Sequence, residues 1–149
     1  TYNAPSIIAF GKAAELAKQN LNSYMEHTRA LRDRLCAGLT AAIPNIHING
    51  DTANGLPNTA DISFPGAEGE AILLHLDLRG IRASTGSACA SGSLESSHVL
   101  VATGLGPELA HGSIRFSLGK YSTQDDVDYI CEILPPVIKD LRSFSTLEA

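Results

Sequence analysis

Among the side chains able to do chemistry, Cys89 is set apart by its neighbours. It sits inside residues 84–93, S-T-G-S-A-C-A-S-G-S, a run built of Gly, Ser, Thr and Ala. Such a run has no large apolar side chain with which to offset the conformational entropy of ordering it. Cysteine more often fills a core as a small hydrophobe, so a thiol on a pliable polar stretch is better placed to react than to pack. Composition alone also admits a Ser/Gly linker carrying an incidental thiol. Two loop chemistries are excluded. A phosphate-cradling loop needs G-x-x-x-x-G-K-[ST], whereas Gly86 is followed five positions on by Ser91, and no lysine follows Gly92. A thiol phosphatase loop needs an arginine soon after the cysteine, and that region holds Glu95.

The second residue of interest is Arg115. In residues 113–118, Ile114, Phe116 and Leu118 alternate with Ser113, Arg115 and Ser117. The period of two predicts a strand that aims Arg115 away from the core side. A guanidinium there is either solvated or ion-paired, or grips an anion with two parallel hydrogen bonds. Cys36 and Cys131 adjoin apolar helical stripes and read as core thiols. His75 reads as a packed or surface histidine, with no second ligand at metal spacing. His98 and His111 are given no chemical role.

The elements that must position these residues follow from periodicity. Residues 6–20 predict an Ala-rich helix after Pro5. Ser23 and Glu26 match a capping box for a second helix, which runs through Leu31, Leu35 and Leu39 to Pro44. Residues 46–48 and 59–64 predict two strands, and residues 68–79 an amphipathic helix ended by Gly80. Residues 97–104 predict a short helix. A last helix starts at Ser122 or Thr123, with Asp125 or Asp126 three residues on, and carries its apolar stripe past Pro135 and Pro136, where a kink or break is expected. Helices and a few short strands give a mixed α/β (α+β) fold: a small sheet with helices packed on one face.

Bulk properties bound the rest. At 149 residues the chain makes a single domain, 1–149, able to bury a core. It is 44% hydrophobic and 18% charged, and no apolar run is long enough to span a bilayer. No basic-then-apolar leader opens it, and the net charge of −5 comes without a basic stripe. Neither nucleic acid nor membrane is expected as a partner. Three cysteines make neither a metal knuckle nor a disulfide framework, so a reducing cytoplasm is the expected location.

Taken together, S-T-G-S-A-C-A-S-G-S-L-E-S-S-H-V-L over residues 84–100 and A-H-G-S-I-R-F-S-L-G over residues 110–119 closely resemble the C-terminal part of cysteine desulfurases of the NifS/IscS type. The resemblance covers nearly the whole chain. It implies the C-terminal small domain of a fold-type I pyridoxal-phosphate enzyme, with residues 1–20 as the helix joining it to a large domain. It implies conversion of L-cysteine to L-alanine. Cys89 would be the nucleophile that keeps the sulfur as a persulfide, and Arg115 would bind the substrate carboxylate. Thr1 would match a threonine whose hydroxyl reaches the cofactor phosphate of the partner subunit. The resemblance further implies a homodimer and an iron–sulfur scaffold protein as sulfur acceptor. Two departures matter. The family's Schiff-base lysine motif is absent from this sequence, since Lys12, Lys18, Lys120 and Lys139 lack its context, so the chain alone is expected to be inactive. Ser96 stands where relatives usually carry proline. The alternative reading is a non-catalytic sulfur-relay or scaffold-docking module. A thiol hydrolase with a Cys/His pair is a third and weaker one.

Overall fold

The computed structural model describes residues 1–85 and 97–144. Its longest element is α1, Ala4–Ala42, opened by the Asn3 side chain, which accepts a hydrogen bond from the Ser6 amide at 3.3 Å. The expected division near residues 20–23 does not occur. Ser23 Oγ instead donates to the Asn20 carbonyl at 3.0 Å, and Asn20 Nδ2 to the Leu16 carbonyl at 2.7 Å. Both side chains thus bond back onto their own helix, and no proline interrupts the chain between Pro5 and Pro44. The helix is about 58 Å long. Residues 4–23 of the helix are all exposed, and Thr28 is the first buried position, with Leu31, Leu35 and Leu39 after it.

Three antiparallel strands lie in the order β1 (His47–Asn49), β2 (Thr59–Ser63) and β3 (Ser113–Ser117). The register pairs Ile48 with Ile62 and Ile62 with Ile114, which stacks the apolar positions on one face. That face is covered by the C-terminal half of α1, by α2 (Gly69–Asp77) and by α5 (Gln124–Phe144). Leu35, Leu39, Ile62, Phe64, Ile72, Leu76, Ile114 and Leu134 form the interior. The small sheet with helices on one face is as expected. So is the end of α2, where Gly80 adopts φ of 77°. Two short helices, α3 (His98–Ala102) and α4 (Pro107–His111), lead into β3.

The start of α5 is a reciprocal cap. The Thr123 amide donates to Asp126 Oδ2 at 2.8 Å, and the Asp126 amide donates to Thr123 Oγ1 at 3.2 Å. The helix continues unbroken through Pro135 and Pro136. The prolines remove two donors, but Leu134, Val137 and Ile138 around them are buried, and that packing holds the segment helical. At the far end Arg142 donates to the carbonyls of Pro65, Pro44 and Asn45 at 2.8, 2.8 and 3.0 Å, fastening α5 to both strand connections.

Candidate functional site

The opposite face of the sheet carries the polar half of each alternation. His47, Asn49, Thr59, Asp61, Ser63, Ser113, Arg115 and Ser117 share it, because side chains opposite one another in an antiparallel pair point the same way. Arg115 is half-buried at the third position of β3. Its Nε is buried and has no hydrogen-bond partner. A buried unpaired donor on a charged group is costly, so such a group marks a place where an anion fits. Among the described residues no carboxylate forms an ion pair with it.

Beyond β3 the next segment is tied to Arg115. The Ser84 amide donates to the Arg115 carbonyl at 3.1 Å, and the Arg115 amide donates to the Ser84 carbonyl at 2.6 Å, forming an isolated antiparallel bridge. The residue at which the Cys89-bearing stretch begins is therefore paired in register with Arg115. Cys89 itself lies outside the described residues.

On the same face, and including the cross-strand partner of Arg115, is a network that sequence reading did not find. Asn49 Nδ2 donates to Asp61 Oδ1 at 2.5 Å, and it lies 2.9 Å from Ser63 Oγ and 3.3 Å from Ser113 Oγ. The two serine hydroxyls are 2.7 Å apart and fully buried. Ser113 Oγ donates on to the Leu109 carbonyl of α4 at 2.8 Å. Asp61 was given no role from sequence; the alternation of Ala60 and Ile62 with Thr59, Asp61 and Ser63 is a signal for its face, and only the cross-strand register sets it opposite Arg115.

Thr1 is exposed ahead of α1, and no hydrogen bond joins it to Arg115. His98 and His111 are exposed, with His111 Nε2 3.9 Å from Glu68 Oε1. Cys36 is buried and Cys131 partly so, and burial pushes both thiols up from their ordinary range. Among the described residues no group of His, Cys, Asp and Glu could hold a metal, and no helix is long and apolar enough to cross a membrane. A cavity of about 370 Å³ opens between Arg82, Phe116, Ser117 and Tyr129, beside the edge of β3, and does not include Arg115.

The aminotransferase class-V family model matches residues 1–130. Cysteine desulfurase 2 of Trichormus variabilis is 53% identical over 97% of this chain and 36% of its own length. Cysteine desulfurase IscS of Clostridium botulinum is 50% identical over 99% of the chain and 38% of its own. The chain thus spans little more than a third of the curated relatives it matches. Among solved structures, a NifS-like protein superposes with a TM-score of 0.79 at 32% identity, covering 94% of this chain and 35% of that one. The NifS-like protein from Rickettsia africae gives 0.75 at 30% identity, over 96% of this chain and 36% of its own.

Proposed function

Because the chain belongs to the aminotransferase class-V family, we propose that it is the C-terminal part of a cysteine desulfurase that converts L-cysteine to L-alanine. The observation that carries the reading is the Ser84–Arg115 bridge beside an unpartnered guanidinium nitrogen. Arg115 grips the substrate carboxylate with its planar fork. Cys89, five residues beyond Ser84, comes at most about 18 Å from that anchor along an extended chain, which brings the sulfur of a substrate held at Arg115 within reach. Its thiolate attacks that sulfur, forming an S–S bond. The C–S bond breaks, its electron pair stays with the substrate carbon, and a proton completes the methyl group of alanine. Cys89 keeps the sulfur as a persulfide for an acceptor protein of iron–sulfur cluster assembly.

Pyridoxal phosphate is the electron sink such a reaction calls for. The described residues do not form its anchor: Lys12 pairs with Glu15, Lys120 stacks over Tyr121, and Lys18 and Lys139 are exposed on α1 and α5. What fits here is the amino-acid side of the reaction. Anchoring therefore falls to the large domain, with Thr1 contributing to the partner's phosphate site in a homodimer. In the full-length enzyme, Arg115→Ala is expected to lower kcat/KM for L-cysteine roughly 100-fold, and Cys89→Ser to abolish alanine formation. The chain alone, mixed with L-cysteine and pyridoxal phosphate, is expected to release no alanine. An Arg115→Ala enzyme with unchanged kcat/KM would remove the proposal's basis.

A further inference from the structure

Asp61 and Arg115 are direct cross-strand partners on the polar face, yet they form no ion pair. Side chains so placed have Cβ atoms about 5 Å apart, and opposite charges there normally pair. The carboxylate is engaged elsewhere: Asn49 Nδ2 holds Asp61 Oδ1 at 2.5 Å. Asn49 is itself fixed by Ser63 and Ser113, and Ser113 is tied to the backbone of α4. Both serines are fully buried, and turning the amide away would cost Ser63 Oγ its bond to Asn49 Oδ1 and leave it only Ser113 Oγ. Arg115 Nε meanwhile is left buried without a partner.

We propose that Asn49 is a positioning residue: it draws the Asp61 carboxylate off Arg115 and so keeps the guanidinium vacant for the carboxylate of the amino-acid substrate. The inference rests on reading Arg115 as the substrate grip. Without the Asn49 amide, Asp61 turns to its cross-strand partner, and an internal carboxylate competes with the substrate for one cation. The competition acts on binding and leaves the chemical step alone, so it changes KM and spares kcat.

The test uses full-length enzyme with pyridoxal phosphate bound. Asn49→Ala is expected to raise KM for L-cysteine roughly five- to tenfold with kcat within about twofold, and the double variant Asn49→Ala/Asp61→Asn separates any loss that does not run through Asp61. In the double variant KM returns to the value of Asp61→Asn alone, because the neutral amide no longer competes for Arg115. A merely structural role for Asn49 would leave the double variant as impaired as Asn49→Ala. Should Asn49→Ala fold poorly, Asn49→Ser keeps a hydroxyl for the buried serines on a side chain too short to bridge to Asp61 as well, and the same KM rise is expected. A crystal structure of either variant gives a readout independent of turnover: the Asp61 carboxylate within 4 Å of the Arg115 guanidinium. An unchanged KM in the Asn49 variants, no rescue by Asp61→Asn, or an Asp61 still apart from Arg115 overturns the inference. If Arg115→Ala itself leaves KM unchanged, it is the reading of the grip that fails.

Discussion

At the scale of the residue, three cysteines are chemically unequal. Burial raises the thiol pKa of Cys36 and Cys131, which leaves little thiolate in either near neutral pH. Iodoacetamide at pH 7.5 is therefore expected to label Cys89 and to spare the other two in folded protein, with mass spectrometry of digested peptides as the check. Rapid labelling of Cys36 would contradict its place in the core. Arg32 is a residue that sequence reading passed over. It is buried, with Nη1 donating to the Leu56 carbonyl at 3.1 Å and Nη2 to Asp33 Oδ1 at 2.6 Å. Nothing in its helical stripe distinguishes it from a solvated arginine, because its partner carbonyl comes from a loop 24 positions away. Asp61 was half legible. The alternation around it carries its face, though the residue went unremarked, whereas the residue opposite it depended on how the strands align.

At the scale of the element, the contact between α1 and α5 sets the tolerances. A Cβ added at Gly38 would lie 2.6 Å from Cys131 Sγ. Alanine gains roughly 1 kcal/mol over glycine in a helix, and overpacking costs about 1–3 kcal/mol. Gly38→Ala alone is expected to destabilise, while in a Cys131→Ala background the same change stabilises. Denaturant unfolding of the four proteins in this cycle measures the coupling. The start of α5 carries a pH dependence. Hydrogen bonds from the Thr123 amide and hydroxyl hold the Asp126 carboxyl below its usual value. Its folded-state pKa is depressed, so its contribution is present above the unfolded carboxylate value near 4 and fades as pH falls through the lower, folded value. Stability from this cap is expected to be flat between about pH 5 and 7 and to decline below about pH 4. Thr123→Ala keeps the amide hydrogen bond and loses only the hydroxyl, so it is expected to weaken that dependence and to cost about 1 kcal/mol of stability, as thermal melting against pH would show. This cap was visible in sequence because it is local. The unbroken run through Pro135 and Pro136 was not, since local rules argue for a break and the burial of Leu134, Val137 and Ile138 outweighs them.

At the scale of the whole molecule, the chain divides into a packed end and an exposed one. Ile7, Ile8, Phe10, Leu16 and Leu21 are exposed along the first half of α1, where no residue before Thr28 is buried. Replacing Ile8 and Phe10 together with serine is expected to change unfolding free energy by no more than about 1 kcal/mol, while lowering the chain's binding of an apolar dye. A large loss of stability would mean that these turns pack against the body. By itself the sequence determined what short-range patterns can carry: the strand alternation that sets Arg115 apart from the core, the helix end at Gly80, a helix start at Ser122 or Thr123, and a run around Cys89 poor in apolar groups. Tertiary structure decided the rest, namely the continuity of α1, the bridge between Ser84 and Arg115, and the hold of Asn49 on Asp61. The physical reason is one of range. Propensity and periodicity act within a few residues, whereas which cation is left unpaired is settled between strands whose register only the assembled core imposes.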